Sequence, residues 1–479
     1  MYECSIASNA HRSTRRIHRR WSPFPSFGHT ALLLTVSLWC PPNGFAKNPI
    51  VQSLYTADPA PLVHEGAVYL YTGHDEGDAP DNRYRMHDYR CFSTTDMVNW
   101  TDHGAVLDIR KVFHWSGGDA NAAQCICRNG KFYYYVSTGN TKGPGGVALG
   151  VAVSDSPFGP FRDALGHALV TNDQTKYARH GWDDLDPTVF IDDDGRAFLY
   201  WGNNACYFAE LNEDLISLKG DISFVPLSEE TFGPDFEEAP WLYKRNGLYY
   251  LVYASGLPES IRYATSISPA GPWAYRGLIM DRPRQRGLGT NHPGVIDFKG
   301  NSYLFYHTAA LPGGGDKRRC VCVEQFSYNE DGSIPQIDYT KTGIVKGVAK
   351  LDPFARTEAE TIAWASGVET AKRDGVGVFV TDIDNGDYIK VRDVHFGDKG
   401  AVRFLASVAA TAKGGAIELR LDSGTGPLIG TLKAAPTGGM DKWEIESSSV
   451  TGAEGVHDLY FEFVGGSGAL MNFDWWKFE

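Results

Sequence analysis

Basic residues, zinc-type cysteine spacings and long apolar runs are what this 479-residue chain has least of. Lys and Arg number 45 against 58 Asp and Glu, a formal charge of −13. A phosphate backbone needs clustered cations, so the balance argues against a nucleic-acid binder. No Cys-x-x-Cys pair or Cys/His spacing suggests zinc. No apolar run reaches the roughly 20 residues of a membrane helix, so no membrane partner is expected. Helical periodicity is missing as well, which disfavours bundles. Present in excess are glycine (53) and aromatics (13%: 24 Tyr, 25 Phe, 12 Trp). Turn formers plus aromatic and β-branched residues point to an all-β protein. Apolar residues at 42% and charged residues at 22% are globular values, and the length admits two or three domains.

Residues 1–46 have the layout of an export signal. Arg12, Arg15, Arg16, Arg19 and Arg20 form a positive segment, and Ala31 to Trp39 is a short apolar stretch. Small residues Gly44 and Ala46 offer cleavage before Lys47. A secreted or periplasmic protein is expected, with 40 basic and 57 acidic residues left, or −17. Six cysteines remain. Cys125 with Cys127, and Cys320 with Cys322, each share one face of a strand. Buried free thiols are expected, with a cross-strand disulfide as the alternative.

An internal repeat organises the next 300 residues. Aromatic strands recur at Val68–Tyr71, Phe132–Tyr135, Phe198–Trp201, Leu248–Leu251 and Tyr303–Tyr306. Each follows a turn dipeptide: Glu65-Gly66, Asn129-Gly130, Asp194-Gly195, Asn246-Gly247 and Lys299-Gly300. A second element, Ser-x-Ser-Pro-x-Gly-Pro, recurs at 154–160 and 266–272, with a looser cousin at 93–100. Five units of about four strands predict a five-bladed β-propeller over 47–340. A tandem of β-sandwiches is the alternative, but its strands would not share so long a period.

Corresponding positions of a radial repeat converge on the mouth of the central channel. At eight or nine residues before the turn glycine stand Asp58, Asp186, Glu238 and His292. Any one acid–proline dipeptide could simply begin a strand. Three acids at matched positions instead suggest chemistry, because crowded carboxylates raise one another's proton affinity and split into base and acid.

The segments TADPAPLV, DLDPTVFIDDDG, FEEAPWLYKRNGLYYLVYAS and FYHTAALPGGG resemble glycoside hydrolase family 43. The resemblance implies an inverting glycosidase in which Asp58 is the general base and Glu238 the general acid. Asp186 tunes and orients that acid, and Glu237 is a bystander. An inverting pair stands about 6.5–9.5 Å apart to admit a water. It further implies substrate contacts from Asn291, His292 and Arg319, and an axial histidine at His307 of the kind that touches calcium. Trp115, Trp182 and Trp241 are candidate stacking platforms for sugar faces, or core rings. The likeness is greatest to enzymes that trim arabinofuranose from arabinoxylan, so a plant cell-wall polysaccharide is the expected partner and the chain is expected to be a monomer. Asn121 stands where those relatives usually have tryptophan. A β-xylosidase, an arabinan-cleaving enzyme or a non-catalytic polysaccharide-binding propeller are the alternatives; the last predicts loss of an acid, and all three are present.

Residues 341–355 read as a linker. From 356 to 479 the chain alternates as a β-sandwich (jelly roll) of about 120 residues does. The segments TEAETIAWASGVET, NGDYIKV, GVHDLYFEFVGG and NFDWWKFE resemble a family 6 carbohydrate-binding module. That resemblance implies a structural Ca2+ held by Glu358, Glu360 and Asp474, and a sugar cleft at Phe379, Met440 and Asn472. Met440 replaces an aromatic, which weakens stacking.

Overall fold

The five turn dipeptides close the hairpins from which the first part of the molecule is built. In the computed structural model, which describes residues 48–80, 82–178, 180–283 and 288–479, both residues of four of these dipeptides have positive φ. Glu65/Gly66 stand at 47° and 79°, and Asn129/Gly130 at 53° and 73°. That is the requirement of a type I′ turn, whose twist matches the flanking strands. The third hairpin differs. Asp192 and Arg196 flank a longer loop, closed by Asp192 N–H to Arg196 O at 2.8 Å.

Five antiparallel blades result. Blade one contains Tyr55–His64, Ala67–Asp75, Met86–Thr94 and Trp100–Asp108; blade two contains Ala123–Arg128, Lys131–Gly139, Val147–Ser154 and Arg162–Asp163. Blade three contains Thr188–Ile191, Ala197–Trp201, Cys206–Leu211 and Leu218–Val225. Blade four contains Glu238–Arg245, Leu248–Ser255, Ser260–Ser266 and Ala274–Met280. Blade five has three strands, Gly294–Phe298, Asn301–Thr308 and Cys320–Phe326, rather than the four expected. The N-terminal segment lies along its last strand: Ile50 N–H donates to Val321 O at 3.0 Å, and Asn48 exchanges side-chain hydrogen bonds with the Val323 backbone. The two ends of the ring are thereby joined.

Blades cover one another on both faces, so their second strands are apolar almost throughout. Ala197–Trp201 is wholly buried, as is Tyr249–Ser255. Buried tyrosines keep their hydroxyls satisfied by reaching to a neighbouring blade. Tyr71 donates to Pro157 O (2.9 Å), Tyr135 to Leu215 O (2.6 Å) and Tyr200 to Pro269 O (2.7 Å). Pro157 and Pro269 belong to the two Ser-x-Ser-Pro turns, which thus serve as acceptors between blades. The six cysteines in the described residues are all free, five of them buried.

The second domain is a β-sheet assembly whose longest strands, Tyr388–Ala410 and Glu444–Val464, bend at register shifts near Gly397, Gly400 and Gly455. Such irregularities let one strand pass between the two layers of a sandwich. Phe404, Phe461, Phe473, Trp476 and Phe478 fill its core. Residues 341–355 are not a free tether: Val348 N–H donates to Asp96 O and Leu351 bridges to Val394. The module also extends blade one, with Thr361–Ile362 pairing against Trp100 and Thr101. Asn99 closes the junction by exchanging hydrogen bonds with the Arg392 backbone at 2.9 and 2.7 Å. The export signal expected over 1–46 lies outside the described residues. Among the described residues no helix is long and apolar enough to cross a membrane.

Candidate active site

The matched acids arrive at the mouth by backbone irregularity rather than by regular strand geometry. Asp58 (φ 51°) sits in a register shift between Ala57 and Ala60, and Glu238 opens one that ends at Trp241. Asp186 (φ 60°) precedes the first strand of blade three. Ala239, next to Glu238, stands at φ 57°. Left-handed backbone at non-glycine residues costs about 1–3 kcal/mol each and persists where the surroundings over-determine it. Here it turns three carboxyls into one cavity of about 230 Å³.

Each acid has a distinct environment. Asp58 is 6% exposed and accepts a hydrogen bond from Arg319 Nη1 at 2.8 Å, with His307 Nδ1 at 3.4 Å. Arg319 is itself held by Asp75, through Nε and Nη2 at 2.9 Å and through its backbone N–H at 2.8 Å. Burial would raise Asp75's carboxyl, but Arg319 holds it below the usual carboxylate range. Asp186 accepts the Ala239 N–H at 3.1 Å, which ties blade three to the residue beside Glu238. Burial, then Glu238 and Asp58, push Asp186 well up. Glu238 accepts a hydrogen bond from Asn203 Nδ2 at 2.6 Å, and burial together with Asp58 raises its carboxyl despite that bond. The mouth therefore holds one carboxylate paired with a cation and two that favour the proton.

Of the expected substrate residues, His292, Arg319 and Trp182 line this cavity. Burial and Arg319 push His292 down to about 3, so it is a neutral imidazole, 3.9 Å from Asp186. Trp182 is 55% exposed and stacks on His180 at 4.4 Å. Asn291 does not line the cavity. It donates to Tyr339 Oη at 2.8 Å and its Oδ1 caps the His292 N–H. Trp115 is a correction: it is 3% exposed in the core, with its indole N–H on Asp163, because blade two packs over it. Trp241 is likewise buried and donates to Val295 O. His307 does not fit a metal ligand. Its Nε2 faces Thr290 O at 2.9 Å and its Nδ1 faces the Asp58 N–H at 3.4 Å, so both nitrogens have partners. Asn121 lines the cavity where an aromatic wall was in question.

Several mouth residues escaped the sequence reading. Tyr84 and Met86 line the cavity, Asn203 donates to Glu238 and Asp75 holds Arg319. Asp75 ends its blade's second strand and Asn203 follows its own by two residues, so the end of that strand was the usable signal. In the module, Phe379 is 4% exposed, packed edge-on against Trp443 at 5.2 Å. Asn472 spends its amide on Met440 O and Thr381. Phe379 and Asn472 are thus both buried and engaged within the module. The expected cation donors fit better. Glu360 Oε2 and Asp474 Oδ1 are buried with no hydrogen-bond partner among the described residues, and burial with Glu358, Asp102 and Asp474 nearby pushes Glu360 up to about 9. Glu358 is bound by Arg356 at 2.8 and 2.9 Å. Buried, mutually repelling carboxyl oxygens are a donor set for a hard cation.

A propeller mouth that sets a cation-paired carboxylate beside proton-holding carboxyls has the parts of an enzyme that hydrolyses glycosidic bonds. The chain belongs to that class as a member of glycosyl hydrolases family 43, whose pattern matches residues 46–334, followed by a carbohydrate binding module of family 6 over 358–479. It is 36% identical to an arabinoxylan arabinofuranohydrolase of Paenibacillus polymyxa, over 90% of this chain and 74% of that one. It is 35% identical to one of Bacillus subtilis (strain 168), over 90% and 92%. A solved structure of a family 43 arabinoxylan arabinofuranohydrolase from Bacillus subtilis, in complex with cellotetraose, superposes with a TM-score of 0.78 at 34% identity, covering 90% of this chain and 97% of that one. A β-xylosidase/α-arabinofuranosidase from a compost microbial metagenome matches 62% of this chain and 98% of its own, with a TM-score of 0.54 at 30% identity.

Proposed function

We propose that this glycosidase is an exported, inverting enzyme that releases α-L-arabinofuranosyl side chains from arabinoxylan. The observation that carries the chemistry is the contrast within one cavity between Asp58, paired with Arg319, and Glu238, whose environment favours the proton. Asp58 takes a proton from a water as that water attacks the anomeric carbon. The bond to the xylan oxygen breaks, and Glu238 delivers its proton to that oxygen. Asp186 holds the Ala239 N–H and so keeps Glu238 in place. Attack from the face opposite the leaving group inverts the anomeric centre. His292, as a neutral imidazole, and Trp182, as an exposed ring, are placed to contact sugar.

The arabinose assignment is supported by the two arabinoxylan arabinofuranohydrolases, which align across both domains. Export is supported by the arrangement of residues 1–46. We further propose that Glu360 and Asp474, with Glu358, hold a Ca2+ ion that fastens the first strands of the module to its last. Product analysis on arabinoxylan, arabinan and xylo-oligosaccharides tests the substrate. Free arabinose from arabinoxylan is expected, and xylose as the sole product would overturn the assignment. Proton NMR of the first-formed sugar tests the stereochemistry, with the β-anomer expected.

A further inference from the structure

One buried carboxyl next to the mouth has no role in this scheme. Glu259 lies between the second and third strands of blade four and is 0% exposed. It does not line the cavity, so it does not touch substrate. Its backbone N–H donates to Gly289 O at 2.9 Å, and Oε2 accepts the Asn291 N–H. Among the described residues no donor reaches Oε1, which is buried, and the Glu259 carboxyl is set against the side chain of Glu238. A buried carboxylate oxygen with no donor, facing a second carboxyl, is a costly arrangement. A proton on Oε1 removes the cost, because the oxygen then donates to Glu238 instead of repelling it.

We propose that Glu259 is a positioning residue that stays protonated and donates a hydrogen bond from Oε1 to the carboxyl of Glu238. The inference rests on Glu238 being the general acid. Three other acids face the pair, Asp58 from blade one, Asp186 from blade three and Glu237 beside Glu238; Tyr339 stands on the Asn291 side. Burial and Glu238 push Glu259 well above the usual carboxyl range, in keeping with a neutral group. The donated bond favours ionised Glu238 and so offsets part of the lift from burial and Asp58. Glu238 is thereby kept able both to release its proton and to regain it.

The test is the pH dependence of kcat/KM on arabinoxylan for Glu259→Gln and Glu259→Leu in the full-length chain. Activity must fall on the alkaline side as Glu238 loses its proton. Glutamine keeps a donor towards Glu238 and an acceptor for Asn291, so its alkaline limb should coincide with that of the unaltered enzyme. Leucine removes the donor, and its limb should move up by about one pH unit. A limb unmoved in Glu259→Leu would overturn the proposal. So would a downward movement, which is what losing an ionised neighbour produces, or an equal movement in Glu259→Gln. Thermal unfolding of both variants checks that they are folded, and should Glu259→Leu not fold, Glu259→Ala takes its place. Glu238→Ala separates the two levels of the argument. If that variant keeps the alkaline limb, the acid assignment itself fails. If it loses the limb while Glu259→Leu leaves the limb in place, only the present inference fails.

Discussion

Replacing Arg319 by Met should change both stability and its pH dependence, in a way set by the carboxylates around it. Arg319 is 3% exposed and its guanidinium spans Asp58 and Asp75, the latter fully buried. Methionine fills the stem but leaves two buried acids without their cation. Breaking a buried ion pair from one side costs about 3–5 kcal/mol. At roughly 2 °C per kcal/mol for a domain of this size, the propeller's Tm should fall by roughly 6–10 °C near neutral pH. Arg319 depresses the folded pKa of Asp75, so the ionised acid contributes stability above its unfolded value of about 3.9, lost as the pH falls through the folded value. Without Arg319, burial outweighs the remaining pull of His307 on Asp75 and the sign reverses, so the variant loses stability as the pH rises past about 4. The gap in Tm should therefore be small in acid and widen towards neutrality. Calorimetric scans of the two proteins from about pH 3.5 to 7 measure it. A gap independent of pH, or no gap at neutral pH, would refute the reasoning. Turnover should fall as well, because Asp58 loses the contact that aims it.

Glu238→Ala should lower kcat/KM on arabinoxylan by about 10²–10⁴-fold. An aryl arabinofuranoside with a good leaving group needs little protonation and should lose much less. Adding Ca2+ after chelation should raise the module's Tm, and Glu360→Gln should abolish that response; an unchanged response would sink the cation assignment. Burial and Lys372 push His103, at the junction between propeller and module, down to about 4, so unfolding takes up a proton there below about pH 6.5. Stability should therefore fall as the pH drops from about 6.5 to 4, and His103→Gln should flatten that slope by about one proton in pH-dependent denaturant titrations.

The repeat made the propeller legible because a blade is a local object. Turn dipeptides, aromatic strands and Ser-Pro turns each occupy a few residues, and their recurrence alone implies radial symmetry. The same symmetry brought Asp58, Asp186, Glu238 and His292 to one cavity, since equivalent positions in equivalent blades must converge. Tryptophan was less tractable. Trp115, Trp182 and Trp241 have the same side chain, yet one meets solvent and two are core, and only the packing of neighbouring blades separates them. Composition likewise could not show that the fifth blade is completed by residues 48–50. Nor could it show that Trp443 packs edge-on against Phe379.

By itself, then, the sequence determined the blade count, the hairpin turns and the acids carried at matched positions, because these depend on short-range spacing. The tertiary structure decided which groups surround each acid. Asp58 gains Arg319 from 261 residues away, and Glu238 gains Asn203 and Glu259 from flanking segments. A carboxyl's charge depends on burial and on neighbours within a few ångströms, and those neighbours are chosen by how blades close into a ring.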